Sequence, residues 1–193
     1  MLSYHSRLPK IVTILALILV GILVYTIPRK TSGPLSHETP NQASALPDVQ
    51  GNFDNQSFHS NELKGRWHLL TFWAYWCLPC LTELPTLGLL DQTLDDKDLQ
   101  IVAVNLDDPQ SENFQNAKQF ILDKNLKFRV YFDGDRKVSK AFDINELPQN
   151  FLINPKGQIV WKATGSIDWS SSVVVSELKK IIKSEPTPSG ESR

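Results

Sequence analysis

Apolar and polar positions fall into blocks of different period along the chain. From Ile11 to Ile27 the sequence is almost wholly apolar, with only Thr13, Gly21, Tyr25 and Thr26 intervening. That is close to the ~17-residue lower limit for a membrane-spanning helix. Residues 1–10 form a short segment before this run, and residues 28–45 follow it as a flexible linker, with Pro, Ser, Thr, Asn and Gln concentrated from Thr31 to Ala45. The run Trp67 to Ala74 is apolar, aromatic and β-branched at strand length and predicts a buried strand. After it, Cys80, Glu83, Leu84, Leu87 and Leu94 keep the three-and-four spacing of one helical face, with Thr82 and Thr86 turned outward. Pro79 fits the first turn of that helix, where its missing N–H has no partner to lose.

Further elements alternate in the same way. A short hairpin is predicted around Phe53 to Phe58, and a second buried strand at Ile101 to Asn105. Ser111 is placed to cap a helix carrying Phe114, Ala117, Phe120 and Ile121 on one face. Arg129 to Phe132 predicts a third strand, and Val138 to Phe142 a short helix. Phe151 to Ile153 and Gln158 to Trp161 flank the turn signal Asn154-Pro155-Lys156-Gly157 and predict a hairpin. A last helix is expected from Ser170 or Ser171, with Val174, Leu178, Ile181 and Ile182 inward and lysines near its negative end. The pattern is alternating α/β over residues 46–184, a mixed sheet with helices on both faces. Residues 185–193, with two prolines, a glycine and no apolar residue, predict a disordered tail.

Composition adds limits rather than detail. At 193 residues there is room for one core with extra segments, and a formal net charge of −1 gives no reason to expect nucleic acid as a partner. The acidic positions between Asp91 and Glu112 are expected to be a solvated face. Arg7 and Lys10 before the apolar run balance Arg29 and Lys30 after it, so charge does not fix its orientation. With no Ala-x-Ala-like cleavage site and no lipid-accepting cysteine after it, residues 11–27 are expected to be an uncleaved single anchor rather than a removed signal peptide.

The chemistry is concentrated in Trp76-Cys77-Leu78-Pro79-Cys80, which holds both cysteines of the chain at the predicted strand-to-helix junction. The free N–H groups and dipole of a helix start lower a cysteine's pKa toward the thiolate, so Cys77, expected at an exposed tip, is the natural nucleophile. Cys80, one turn further in, is placed to close the Cys77–Cys80 bond and release the product. As a structural staple, a ring this small contributes only about 2 kcal/mol. His5, His37, His59 and His68 all precede the motif without ligand spacing, so neither a metal nor a cofactor is expected. Glu83 lies on the inward face one turn from Cys80, where burial raises a carboxyl pKa and suits it to take the resolving thiol's proton. Its alternative is an ordinary first-turn glutamate complementing the helix dipole. Trp76 is expected to be partly exposed, a surface on which substrate packs, while Trp67, Trp73, Trp161 and Trp169 are expected to be packing residues.

The segments FWAYWCLPCLTELP, IVAVN and DINELPQNFLINPKGQIV, in that order and spacing, resemble the thioredoxin superfamily. More narrowly they resemble the membrane-anchored, extracytoplasmic TlpA/ResA-like thiol-disulfide oxidoreductases, some of which serve cytochrome c maturation. The likeness spans Leu46 to Ser184. It implies a thioredoxin fold behind the N-terminal transmembrane helix, on the periplasmic or other extracytoplasmic side of the cytoplasmic (inner) membrane. Cys77 and Cys80 match the family's attacking and resolving cysteines, and Pro85 its helix-kinking proline. Pro148 matches the proline that is cis in thioredoxins, beside which the backbone, here of Leu147, pairs with an extended substrate. A glutamate stands at the position of Glu83 in the ResA-like group. Gln149-Asn150 departs from the threonine that commonly follows the cis-proline, and Leu78-Pro79 departs from the Gly-Pro of cytoplasmic thioredoxins.

The expected activity is reduction of disulfides in exported proteins, such as the haem-binding cysteines of apocytochrome c. Because an oxidising compartment does not keep the pair reduced, a membrane thiol-reducing electron donor is an implied partner. A disulfide-introducing oxidase uses the same residues in reverse, and a tethered chaperone or assembly factor would leave the cysteines incidental. A peroxidase of the peroxiredoxin type would place a hydroxyl residue at position 74, where this chain has Ala74. A copper-delivery protein of related fold would want a histidine after the cysteines, and none follows His68.

Overall fold

The computed structural model describes residues 43–53, 55–94 and 98–184. The expected anchor at 11–27, the linker up to residue 42 and the tail at 185–193 lie outside them. No helix among the described residues is long and apolar enough to cross a membrane.

The strands are β1 (Ser44–Ala45), β2 (Gln50–Phe53), β3 (Gln56–His59), β4 (His68–Trp73), β5 (Gln100–Asn105), β6 (Arg129–Phe132), β7 (Gln149–Ile153) and β8 (Gln158–Thr164). The helices are α1 (Leu78–Thr93), α2 (Glu112–Asp123), α3 (Lys137–Ala141) and α4 (Ser172–Ser184), with a 3-10 turn at Ser60–Leu63. Six strands form one sheet in the order β1-β8-β7-β4-β5-β6, while β2 and β3 form the separate hairpin predicted near Phe53. The β4–β5 and β5–β6 pairs are parallel; β4–β7, β7–β8 and β1–β8 are antiparallel. The sheet is therefore mixed, as the alternating pattern required.

Every residue of the central strand β4 is buried, which happens only when a sheet is covered on both faces. One face, carrying Asn150 of β7 and its register partner Thr71 of β4, meets α1 through Glu83. Phe72 and Phe151 point the other way and pack on Phe142 at the end of α3, at 5.4 and 5.5 Å between ring centres. The β7–β8 turn closes on Gly157 at φ 74, a conformation glycine takes without steric cost, with Gly157 N–H donating to Asn154 O at 2.9 Å.

Four local expectations change. Ser44 and Ala45, at the end of the expected linker, are already strand, because β8 would otherwise present an unpaired edge there. Strand β7 begins two residues earlier than its apolar core and β8 runs on to Thr164, since backbone pairing continues through the polar Gln149, Asn150, Lys162 and Thr164. Thr86 is half-buried rather than outward: its hydroxyl donates to Glu83 O at 2.8 Å and accepts from Trp169 N–H at 3.1 Å. Asp107 does not join the solvated acidic face. It is buried, and its Oδ2 accepts from Tyr75 N–H and from Asn105 Nδ2, each at 2.7 Å.

Candidate active site

The chain leaves β4 at Trp73 and enters α1 at Leu78, so the two cysteines fall on the turn between the central strand and the helix it feeds. Cys77 is the N-cap of α1, and Cys80 N–H donates to Cys77 Sγ at 3.3 Å. A sulfur in that position receives one of the orphan N–H groups of the helix start, which favours its thiolate once the pair is reduced. The two sulfurs form a disulfide in this structure. Upstream, the acceptance of Tyr75 N–H by Asp107 ties the approach to Cys77 to the loop after β5.

Exposure around the pair differs from expectation at one point. Cys80 is fully buried as anticipated, but Cys77 is only 5% exposed, because capping turns its sulfur in toward the first helical turn. What stands out in solvent is the pair of apolar side chains beside it, Trp76 at 59% and Leu78 at 75%. Trp76 thus meets the expected exposure; Trp67, Trp73, Trp161 and Trp169 are all buried.

Pro148 follows a cis Leu147–Pro148 bond. The antiparallel register sets Phe72 opposite Gln149, so Leu147 and Pro148 lie at the same end of the sheet as the cysteine turn. Leu147 is half-buried and Pro148 buried; Pro148 O accepts from Gly165 N–H at 2.9 Å. The structure thus brings Trp76, Cys77, Cys80, Leu147 and Pro148 to one end of the fold, with Glu83 below on α1.

Glu83 is 1% exposed, and its Oε1 accepts three hydrogen bonds: from Trp169 Nε1 at 2.7 Å, Asn150 Nδ2 at 2.9 Å and Ile167 N–H at 3.2 Å. Burial pushes its pKa up to about 7, against the opposing pull of those donors. It is therefore a carboxyl group that exchanges a proton near neutral pH rather than a surface helix-dipole partner. Two of these donors were not anticipated. The sequence pattern marks Trp169 as a packing residue alone and Asn150 only as a departure after the cis-proline. A buried indole N–H and a buried amide at the start of an apolar strand are the signals that each needs a polar partner. Among the described residues, no group of three or more His, Cys, Asp or Glu could hold a metal ion.

Residues 41–162 match the AhpC/TSA family, which is most of the described domain. The chain belongs to the AhpC/TSA family. Two relatives narrow this. The chain is 32% identical over 152 residues to thiol-disulfide oxidoreductase ResA of Bacillus subtilis (strain 168), covering 78% of this chain and 82% of that protein. It is 31% identical over 140 residues to ResA of Halalkalibacterium halodurans, covering 72% and 73%. Among solved structures, StoA of Bacillus subtilis superposes with a TM-score of 0.53 at 26% identity, over 74% of this chain and 98% of that one. A thiol:disulfide interchange protein of Chlorobium tepidum, at 21% identity, shares the fold with a TM-score of 0.58 over 76% and 98%. This AhpC/TSA member is a ResA/TlpA-like thiol-disulfide oxidoreductase of thioredoxin fold, and its Cys77–Cys80 pair is a redox-active centre.

Proposed function

We propose that the protein is a reductase of disulfides in exported proteins, held at the outer face of the cytoplasmic membrane by residues 11–27. The observation that carries the reading is a buried carboxyl, Glu83, one turn below a Cys77–Cys80 couple whose first sulfur caps a helix. In the reduced protein, the Cys77 thiolate attacks a substrate disulfide and forms a mixed disulfide. Glu83 takes the proton of Cys80, whose thiolate then attacks Cys77 Sγ and displaces the substrate thiolate. The substrate gains two electrons and the pair becomes the disulfide, which a membrane thiol-reducing donor returns to dithiol. Trp76 and Leu78 form an apolar rim on which the substrate segment packs, and the Leu147 backbone beside cis-Pro148 pairs with it as an added strand. The motif holds no histidine or lysine to stabilise the Cys77 thiolate strongly, which favours a reductant over an oxidant. Apocytochrome c fits as a substrate by the family resemblance.

The test is the reduction potential of the couple, by equilibration against defined thiol–disulfide buffers. A value near or below about −200 mV supports the reductase, and one nearer about −120 mV makes the protein an oxidant of exported thiols. Cys80→Ser should trap substrate on Cys77 as a mixed disulfide. A Cys77→Ala, Cys80→Ala protein that still supports the cellular function would return the tethered chaperone to first place.

A further inference from the structure

The two oxygens of Glu83 are not equivalent. All three donors, Trp169 Nε1, Asn150 Nδ2 and Ile167 N–H, converge on Oε1, and among the described residues none donates to Oε2. An oxygen already accepting three hydrogen bonds has no site left for a proton, so a protonated Glu83 carries it on Oε2. Both side-chain donors come from outside the cysteine motif: Asn150 is 67 residues on in β7, and Trp169 is 86 residues on, in the loop between β8 and α4. The Trp169 ring is held edge-on to Trp161, at 5.9 Å between centres and 82° between planes. Its backbone N–H is fixed by the Thr86 hydroxyl. The indole N–H is thus aimed by packing on one side and by α1 itself on the other.

We propose that Trp169 and Asn150 are positioning residues of the exchange reaction, which bind Oε1 of Glu83, leave Oε2 as the proton-carrying atom and set how readily that carboxylate accepts the Cys80 proton. This rests on the role of Glu83 given above. The step balances as follows: the Cys80 S–H proton passes to Glu83 Oε2, and a Cys80–Cys77 S–S bond forms as the Cys77–substrate S–S bond breaks. The substrate sulfur leaves with the electron pair and takes its proton from solvent. Donors to the ionised form favour it, so the three bonds to Oε1 offset part of the cost of ionising a buried carboxyl. Among the described residues, no charged side chain is bonded to this carboxylate. The groups bonded to the carboxylate from β7 and the β8–α4 loop are neutral, and the loop's acidic residue, Asp168, is exposed and binds Ser170 instead. On α1 itself, the neighbouring titratable group is Cys80.

The experiment uses the full chain, reduced and then loaded at Cys77 with 5-thio-2-nitrobenzoate, whose release on attack by Cys80 is followed by absorbance against pH. Trp169→Phe keeps a ring against Trp161 but removes the N–H; Asn150→Ala removes the second donor. Each is expected to move the inflection of the release rate upward by about one pH unit, so that release is about tenfold slower below the inflection and unchanged well above it. Adding Glu83→Gln to either variant should abolish the inflection and with it the difference between them. If both variants keep the parent's inflection while Glu83→Gln removes it, the positioning proposal is wrong and the role of Glu83 stands. If Glu83→Gln keeps the parent's profile, the proton-transfer reading itself falls and this proposal with it. A Trp169→Phe chain that does not fold leaves Asn150→Ala, which removes no ring, to decide.

Discussion

Replacing Glu83 with glutamine should change how the stability of the oxidised protein depends on pH. In the folded protein, burial holds the Glu83 proton up to about pH 7, against a reference value of 4.5. Between those values the folded state binds more protons than the unfolded chain, so the free energy of unfolding falls as pH rises and levels off above about 7. The span from 4.5 to about 7, at about 1.4 kcal/mol per pH unit, corresponds to about 3 kcal/mol, of which about 2.5 kcal/mol falls between pH 5 and pH 8. Glutamine keeps an amide oxygen for the donors on Oε1 but has no proton to lose, so this dependence disappears. His68 slopes the other way: burial lowers its pKa, so its contribution is lost as pH falls below the unfolded value of 6.5. That residue is unchanged in the variant, and the difference between the two profiles cancels it. The assay is urea unfolding at pH 5 and pH 8 with the Cys77–Cys80 bond intact. Stability lost between those two pH values should be about 2 to 3 kcal/mol greater in the parent than in Glu83→Gln. Profiles that run parallel to within about 0.5 kcal/mol would refute the argument that Glu83 is ionised against burial.

Three further outcomes are expected. Thr71 Oγ1 is buried with no hydrogen-bond partner, so Thr71→Val, which keeps the shape and removes the unsatisfied hydroxyl, should raise stability by about 1 kcal/mol in urea unfolding. Asp107→Ala leaves Tyr75 N–H and Asn105 Nδ2 without their acceptor and should cost about 2 kcal/mol or more, with slower thiol exchange because the approach to Cys77 is no longer tied down. Trp76→Ala should raise KM for a disulfide-bonded peptide about tenfold with kcat little changed, since the ring stands in solvent beside the sulfur and supplies apolar contact rather than chemistry. Steady-state kinetics with that peptide measure it.

The elements and the reacting pair are legible in the order of residues along the chain. Strand β4 followed from an apolar, β-branched run, β6 was bounded at Arg129 and Phe132, and Ser111 capped α2 as its place before the periodic face required. These features rest on hydrogen bonds and side-chain periodicities that close within a few residues, so local order is enough to reveal them. The inward turn of Glu83 was legible for the same reason, being a matter of position on one helix face. Tertiary structure alone decided what meets that carboxyl. Nothing local links position 83 to Asn150 or Trp169, which reach it only because β7 lies beside β4 and the loop after β8 folds back on α1. It also decided that Cys77 is covered rather than exposed, and that Asp107 is a buried acceptor within an acidic stretch. A buried polar group must find a partner, and the sequence shows that need; which partner comes within 3 Å depends on strand order and packing across the whole domain.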